Sequence, residues 1–440
     1  MKVVLLCGGI GKRMVPLVKD KALLKFAGVS LILQQINVAM AAGFNHFVII
    51  ANSDNLADLK LAVAELENIK IDFGIQENPS GMADALLTAS GLLAGEQFIL
   101  VGVDDIVETS AYIQLTSEYE KTGDHFGYII AHKVQNYFPG GYLVIDEDRE
   151  IRHIVEKPPR GKEPSNLINI VIHLHNHPQE LRDYLTRVDS RADDAYENAL
   201  NQAIKDGHKI KAVLYDGGWQ AIKYPWHILD AMDYFSKALK QRISPSAQIS
   251  DRAIIDGDVV IEDNVRMLEG AVIRGPTYIG RNSIVGNNVL VRKSNIGDNC
   301  VIGYSTEIKH SYIGDGCWFH SNYIGDSVIE DGCSFGAGAV AANLRLDETN
   351  IKLKVGDEEV DTGRDKLGAL VGKGTRIGIN ASLMPGVRVG AHSFVGAQVC
   401  LTGDLETGSM AQALSQYRIL PNKTRPPEDK RQDLFKRLTG

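Results

Sequence analysis

The chain has 440 residues and a formal net charge of −8, and its length suits two domains better than one hydrophobic core. Hydrophobic residues make up 44% and charged residues 23% of the sequence, which excludes wholesale disorder and fibrous classes. The negative charge argues against a nucleic-acid-binding face but permits one basic pocket for a small phosphorylated ligand. No apolar run reaches the roughly 20 residues of a membrane span, so we expect neither nucleic acid nor membrane as a partner.

The N-terminal segment 1–235 alternates predicted strands and helices, beginning with a strand at 3–6, a glycine-rich turn and a helix around 31–42. This alternation predicts a mainly parallel, Rossmann-like α/β domain with helices on both faces of the sheet. The apolar start is too short for a signal peptide, and the five cysteines form no CxxC pair. We therefore expect a cytoplasmic location.

The turn after the first strand contains Gly8, Gly9 and Gly11, followed by Arg13. Glycines let backbone N–H groups approach a polyphosphate, and an arginine can pair with charge that develops on it. Glycine-rich turns follow many first strands, so this turn alone leaves nucleotide binding open. With Lys21 ten residues after Gly11, however, the segment resembles the Gly-x-Gly-x-Arg-Met and Pro-Lys-x-Leu signature of nucleotide-sugar pyrophosphorylases. The resemblance implies catalytic roles for Arg13 and Lys21 and nucleotide binding by the three glycines.

Further segments carry the same resemblance. The segment 76–81 resembles the base-reading element, which implies nucleotide contacts from Gln76 and Gly81. The segment 101–105 resembles the Gly-Asp element that holds Mg²⁺, and Asp104 aligns better than Asp105. The implied sugar-binding residues are Gly141, Glu156, Lys157 and Asn169.

The segment Trp219 to Pro225 departs from the family pattern. The family closes its site with Trp-x-Asp-x-Gly-x-Pro, in which the aspartate is a second Mg²⁺ ligand, and this chain has Ala221 at that position. Water could fill the missing place, Asp216 or Asp105 could substitute, or the domain has lost catalysis. The implied reaction is attack of a sugar-1-phosphate oxygen on the α-phosphorus of an NTP, with release of pyrophosphate.

The C-terminal half repeats an aliphatic residue every six positions. One register runs from Ile243 to Val291, a second from Ile296 to Ile308 and a third from Val371 to Leu401. A period of six fits neither an α-helix nor a long strand. It predicts three short strands per triangular coil, with inward aliphatics and Gly, Asn or Asp at the corners.

We therefore predict an all-β left-handed parallel β-helix of hexapeptide repeats over 236–405, the known exception to right-handed crossovers. The polar stretch 342–370 should leave the coil as a loop. The segment 406–440 is expected to be a solvated cap or a subunit contact. Because the aliphatic positions serve the scaffold, function is expected where the period breaks.

The cluster before that loop resembles the acetyltransferase domain of the bifunctional enzymes that make UDP-N-acetylglucosamine, in their archaeal-type form. The resemblance rests on the segments 320–327 and 342–345 and implies that His320 is the general base for acetyl-CoA-dependent N-acetylation of glucosamine-1-phosphate. Histidine suits this task because its ordinary pKa is near 6.5. Ser334 replaces an asparagine of the bacterial pattern. The implied sugar-phosphate contacts are Arg292, Lys309, Tyr323, Asn343 and Lys366.

Three hypotheses follow. The first is a bifunctional enzyme that acetylates glucosamine-1-phosphate, or its galactosamine epimer, and uridylylates the product. The second is an acetyltransferase with an impaired N-terminal domain, and the third is a sensor that binds without turnover. Ala221 favours the second over the first, whereas the intact His320 cluster argues against the third. A homotrimer follows by family analogy, and UTP and dTTP are both open as substrates.

Overall fold

The computed structural model describes residues 1–77, 79–188, 194–414, 418–423, 427 and 430–439; Asn78 of the expected base-reading segment lies outside them. The N-terminal half is an α/β domain. Its strands are β1 (Lys2–Leu6), β2 (Lys25–Phe26), β3 (Val29–Ser30), β4 (His46–Asn52), β5 (Lys70–Gln76), β6 (Phe98–Gly102), β7 (Asp105–Val107), β8 (Gly127–Lys133), β9 (Gly141–Ile145), β10 (Ile151–Glu156), β11 (Leu167–His175), β12 (Ile210–Leu214) and β13 (Trp219–Ala221). Its helices are α1 (Leu31–Ala41), α2 (Leu56–Ala62), α3 (Met82–Leu93), α4 (Thr109–Thr122), α5 (Pro178–Arg187), α6 (Ala195–Lys205) and α7 (His227–Ser236).

The main sheet of this domain runs in the order β10-β9-β11-β6-β1-β4-β5, and β8 joins β11 to β12. The strands β6, β1, β4 and β5 are parallel, whereas β11 is antiparallel to β6. Val3, Val4 and Leu5 of β1 are fully buried, as expected for a parallel strand covered on both faces. The carboxyl ends of β1 and β6 and the start of β11 therefore meet at one edge of the sheet.

The C-terminal half is a left-handed parallel β-helix of three sheets. The first sheet contains β14 (Arg242–Ile243), β17 (Val259–Ile261), β20 (Thr277–Ile279), β23 (Asn295–Ile296), β26 (Tyr312–Ile313), β29 (Val328–Ile329), β34 (Leu370–Val371) and β37 (Arg388–Val389). The second contains β15 (Gln248–Ile249), β18 (Arg266–Met267), β21 (Ile284–Val285), β24 (Val301–Ile302), β27 (Trp318–Phe319), β30 (Ser334–Phe335), β35 (Arg376–Ile377), β38 (Phe394–Val395) and β40 (Met410–Ala411). The third contains β16 (Ile254–Asp256), β19 (Val272–Arg274), β22 (Leu290–Arg292), β25 (Glu307–Lys309), β28 (Tyr323–Gly325), β31 (Val340–Ala341), β36 (Ser382–Leu383) and β39 (Cys400–Leu401).

The coils differ in length, and this explains why the six-residue period changes register. Ile261 pairs with Ile279, 18 residues later, but Ile296 pairs with Ile313 after 17 residues, and Ile313 with Ile329 after 16. Each shorter coil drops a residue at a corner while its core aliphatic stays buried. The expected corner chemistry is also present: three stacked asparagines with positive φ hydrogen-bond side chain to side chain at 3.1 and 3.2 Å. They are Asn264, Asn282 and Asn299.

The chain leaves the β-helix between β31 and β34. The excursion contains a hairpin of β32 (Lys352–Val355) and β33 (Glu358–Asp361). Part of it packs inward: Ile351, Leu353 and Leu367 are buried in the core that also contains the helices of the N-terminal domain. The excursion thus ties the β-helix to the α/β domain. Near the C-terminus, α8 (Lys430–Thr439) is exposed along its length.

Two histidines of β11 have a structural role. His173 and His175 are buried and hydrogen-bond the hydroxyl of Tyr196 at 2.6 and 2.9 Å, and burial lowers the pKa of His175 to about 3. Within the described ranges, no group of three or more His, Cys, Asp or Glu is arranged to hold a metal ion. All five cysteines are free. In the described part of the chain, no helix is long and apolar enough to cross a membrane.

Candidate active sites

In the glycine-rich turn after β1, the backbone of Gly8 lies directly against the side chain of Gln76, the glutamine expected to contact the base. A Cβ built on Gly8 would lie 2.2 Å from Gln76 Oε1, so only glycine fits there. Gln76 is 3% exposed, and its Nε2 donates to Asp84 Oδ2 at 2.6 Å, which fixes its amide. Gly9 faces open space, and Gly11 has a φ of 60°, the left-handed region that favours glycine.

The segment after β6 forms a compact charged centre with two lysines. Asp104 Oδ2 accepts from Lys21 Nζ at 2.5 Å and lies 3.4 Å from Lys223 Nζ. Asp105 lies 3.2 Å from the same Lys223 ammonium, and its other oxygen accepts from Trp219 Nε1 at 3.2 Å. Two carboxylates and two ammoniums therefore share one buried corner of the site.

The two aspartates are not equivalent. Burial opposes the charged form of Asp104, but Lys21 and Lys223 outweigh it and hold its pKa below the ordinary value. Burial raises the pKa of Asp105 despite the attraction of Lys223. The pKa of Lys223 is raised because, although burial lowers it, the attraction of Asp104 and Asp105 is larger. Lys223 therefore remains a buried, charged lysine at neutral pH.

The position expected for a second metal ligand lies beside this centre. Ala221 is buried, pairs with Asp105 between β13 and β7, and offers only a methyl group. The guanidinium of Arg13 lies 5.8 Å from the ring centroid of Tyr224, directly after Lys223. Arg13 and Lys21 thus both reach the segment that closes the site.

The predicted sugar-binding residues converge at the same edge of the sheet. A Cβ built on Gly141 would lie 2.8 Å from Asn169 Oδ1 and 3.0 Å from Glu156 Oε2. Lys157 Nζ lies 3.0 Å from Glu156 Oε1. Because β11 is antiparallel to β6, Asn169 near its start falls beyond the carboxyl end of β6.

In the β-helix, three of the predicted residues gather around an aspartate. Asp326, 4% exposed, accepts from Lys309 Nζ at 2.9 Å and from the side-chain amide of Asn343. Tyr323 Oη donates to Asn343 Oδ1 at 3.4 Å. His310 Nδ1 lies 2.7 Å from the other oxygen of Asp326. The aspartate therefore orients an ammonium, an amide and an imidazole.

His320 lies at the opposite corner of the third sheet, and its side chain is exposed. Its backbone N–H donates to Asn322 Oδ1 at 2.5 Å. The Asn322 amide is buried and donates to the carbonyls of Gly336 and Ala339 at 2.8 and 3.0 Å. Asn322 therefore fixes the turn, while the imidazole stays free for chemistry.

The remaining two predicted contacts flank this face. Arg292 stands one coil from Lys309 in the third sheet and donates to Glu307 Oε1 at 2.5 and 3.1 Å. The Lys366 side chain is exposed, and its backbone pairs with that of Leu344 in an isolated antiparallel β-bridge at the base of the excursion. Its neighbour Leu367 donates its N–H to the Asn343 carbonyl at 3.0 Å. The excursion thus returns beside the Asp326 cluster.

Known proteins share this two-domain arrangement. The family model for nucleotidyl transferases matches residues 2–233, and that for the bacterial transferase hexapeptide (six repeats) matches residues 258–293 and 368–403. A bifunctional sugar-1-phosphate nucleotidylyltransferase/acetyltransferase of Sulfurisphaera tokodaii is 31% identical over 410 residues, 89% of this chain and 95% of that protein. The chain belongs to this bifunctional family. It is therefore a transferase with a nucleotidyltransferase domain and an acyltransferase domain.

Other members of the bifunctional family give similar matches. The bifunctional protein GlmU of Methanocaldococcus jannaschii is 29% identical over 93% of this chain and 97% of its own length. The GlmU protein of Methanococcus aeolicus is 30% identical over 93% and 96% of the two chains. The similarity extends through both domains, so it is not confined to one half.

Sequence reasoning missed two residues of this bifunctional chain. The sequence places Lys223 in the closing segment 219–225 and Asp326 in the segment 320–327, and it gives neither residue a role of its own. A basic residue at the glycine position of Trp-x-Asp-x-Gly-x-Pro was the available signal for Lys223. No comparable signal marked Asp326, because its role depends on Lys309 and Asn343 from other coils.

Proposed function

We propose that this chain makes a UDP-N-acetylhexosamine in two steps. The β-helix transfers acetyl from acetyl-CoA to the amine of glucosamine-1-phosphate or its galactosamine epimer. The α/β domain then transfers uridylyl from UTP, with dTTP as the alternative donor. The observation that carries the proposal is the convergence of the Gly8 turn, the Lys21 and Asp104 pair and the Asn169 cluster at one edge of the sheet.

In the nucleotidyl step, an oxygen of the sugar phosphate attacks the α-phosphorus. The bond from that phosphorus to the bridging oxygen breaks, and pyrophosphate leaves with the electron pair. The attacking and leaving groups are both anionic, so the residues must lower the charge in the transition state. Arg13 and Lys21 supply positive charge, and Lys223 adds a third cation beside them. Glu156 and Asn169 hold sugar hydroxyls and set the line of attack.

The protein offers little to a resident metal. Asp104 is one carboxylate, and Ala221 provides none. This donor set fits an Mg²⁺ that is held mostly by substrate phosphates, as is usual for magnesium at phosphoryl-transfer sites. Bound there, Mg²⁺ would neutralise phosphate charge. Asp104 would be the carboxylate that holds it, and Lys21, which pairs with Asp104, would lie beside the phosphates.

In the acetyl step, the amine nitrogen attacks the thioester carbonyl of acetyl-CoA. The new C–N bond forms, CoA thiolate leaves and His320 takes a proton from the amine. Lys309, Tyr323 and Asn343 hold the sugar phosphate on the same sheet face, with Arg292 and Lys366 at its edges. We further propose a cytoplasmic homotrimer, the state that family analogy implies.

A second candidate function is acetyl transfer alone, with an α/β domain that binds but does not turn over. Ala221 is the observation that favours it. The test is pyrophosphate release from UTP and N-acetylglucosamine-1-phosphate with Mg²⁺, with Lys21→Met as the negative control. Release by the wild type above the Lys21→Met rate supports the bifunctional function. Equal rates would leave only the acetyltransferase. The same assay with galactosamine derivatives and dTTP identifies the sugar and the base.

A further inference from the structure

The loop that carries Arg13 and Lys21 touches the β-helix as well as its own domain. We call residues 12–23 the signature loop. Glu330, at the end of β29, accepts the Val18 N–H at 2.9 Å and the Lys19 N–H at 2.6 Å. Its second oxygen accepts the Lys373 N–H at 2.8 Å. The Glu330 side chain is almost completely buried, with the residue 2% exposed.

Glu330 occupies a position that the scaffold normally gives to glycine. The residue directly after a strand of the first sheet is glycine in five coils, and a Cβ built on any of them would lie within 2.6 Å of another atom. These glycines are Gly280, Gly297, Gly314, Gly372 and Gly390. Glutamate stands at this position in two coils, as Glu262 and Glu330. Glu330 accepts three backbone hydrogen bonds, and two of them come from the signature loop. These hydrogen bonds, rather than packing between coils, explain why a glutamate stands here.

Further contacts hold the same stretch of loop. Lys19 Nζ lies 2.9 Å from Asp331 Oδ2, the residue after Glu330. A Cβ built on Gly372 would lie 2.7 Å from the carbonyl oxygen of Pro16, so the two backbones are in direct contact. The loop is anchored to its own domain by buried Met14 and Leu17 on one side of these contacts.

On the other side of these contacts, the signature loop is held by Asp20. Its carboxylate accepts the Ala22 N–H at 2.8 Å and the Asn55 side-chain amide at 2.7 Å. Between these two anchors, the N–H groups of Val18 and Lys19 take their acceptor from the β-helix. The stretch 15–19 separates Arg13 from Lys21, so its conformation sets where both cations point.

We propose that Glu330 is a positioning residue for nucleotidyl transfer, which makes the β-helix a structural part of the N-terminal active site. The inference rests on the proposed nucleotidyl-transfer activity. Glu330 touches no substrate in this account; it acts through the backbone of Val18 and Lys19. Buried backbone N–H groups need an acceptor, so loss of the carboxylate should loosen the loop and misplace the cations.

The test compares Glu330→Gln with Glu262→Gln. Glu262 follows β17 at the corresponding position of another coil, but its carboxylate pairs with Arg242 at 2.5 Å, whereas the Val18 and Lys19 N–H groups of the signature loop donate to Glu330. In Glu330→Gln we expect kcat for pyrophosphate release to fall about tenfold while KM for the sugar phosphate and the acetyl-transfer rate stay within twofold. Hydrogen exchange over residues 15–23 should be about tenfold faster. Glu262→Gln should match the wild type in all of these.

Two results would overturn the proposal. One is a Glu330→Gln variant that matches Glu262→Gln in turnover and in loop exchange. The other is a parallel loss of both activities with faster exchange throughout the β-helix, which would make Glu330 a scaffold residue only. If the wild type releases no pyrophosphate, the proposed function fails instead. UTP affinity and loop exchange of the two variants then decide whether Glu330 positions the nucleotide site.

Discussion

The two sites both hold a lysine against a buried aspartate, but they differ in the group left free for chemistry. In the α/β domain, Asp104 pairs with two lysines, Lys21 and Lys223. In the β-helix, Asp326 pairs with Lys309, whereas His320 stands apart with an exposed imidazole. We therefore propose that the first site acts by charge stabilisation and that the second adds proton transfer to it.

The largest expected effect separates the two tasks. His320→Ala should reduce acetyl transfer by about a thousandfold, since general-base catalysis contributes roughly 10²–10⁴. Nucleotidyl transfer and the melting temperature should remain unchanged, because the imidazole is exposed. His392→Ala is the matched control, since His392 is another exposed histidine at a corner of the β-helix. Undiminished acetyl transfer in His320→Ala would show that His320 is not the general base.

Removing the buried lysine of the first site should give the next largest effect. Lys223→Met leaves Asp105 without its ammonium, and breaking a buried ion pair in this way costs about 3 kcal/mol. We expect nucleotidyl transfer to fall about a hundredfold and the free energy of unfolding to decrease, as measured in urea. Acetyl transfer at temperatures where the variant is folded should be retained. A variant with wild-type nucleotidyl transfer would show that Lys223 is not one of the working cations.

The ion pair between His310, beside the second site, and Asp233 of α7 should depend on pH. Burial works against the charged form of His310, but hydrogen bonds to Asp233 and Asp326 outweigh it and raise its pKa from 6.5 to about 9. The folded state therefore binds the proton more tightly, so the stabilisation is complete below pH 6.5 and disappears as pH rises to about 9. His310→Gln should cost about 2 kcal/mol at pH 6, and almost nothing at pH 10. A constant difference in urea unfolding across this range would contradict the charged pair.

The smallest expected effect concerns the metal. Ala221→Asp adds a further carboxylate to Asp104 and Asp105, so half-maximal pyrophosphate release should need a few-fold less Mg²⁺. Ala221→Asn has a similar size without the charge and serves as the control. An equal Mg²⁺ requirement in both variants and the wild type would show that position 221 does not face the metal.

Much of the β-helix could be predicted from sequence because each coil repeats a local rule. The inward aliphatics and corner asparagines follow from a six-residue period. The 17- and 16-residue coils keep the same core contacts and appear in sequence only as a shift of register. The excursion was expected as a loop, but its packing against the α/β core depends on Ile351 and Leu353, which polar composition concealed.

The site residues were predictable where they belong to a contiguous motif, as with the Gly8 turn and the His320 segment. Lys223 and Glu330 were not, since their partners are distant in sequence: Lys223 contacts Asp104 and Asp105, and Glu330 contacts the backbone of Val18 and Lys19. A contact between residues that are distant in sequence leaves no periodic pattern in that sequence. Charged residues at scaffold or glycine positions were the only trace, and they are informative only once the coil register is known.

The most direct test of the two-site account supplies one sample with glucosamine-1-phosphate, acetyl-CoA, UTP and Mg²⁺, and measures CoA and pyrophosphate release together. The wild type should release both. His320→Ala should release pyrophosphate only when N-acetylglucosamine-1-phosphate is supplied, and Lys21→Met should release CoA alone. Failure of His320→Ala to release pyrophosphate when N-acetylglucosamine-1-phosphate is supplied, loss of CoA release in Lys21→Met, or a wild type that releases CoA without pyrophosphate would contradict the claim that the two domains catalyse successive steps.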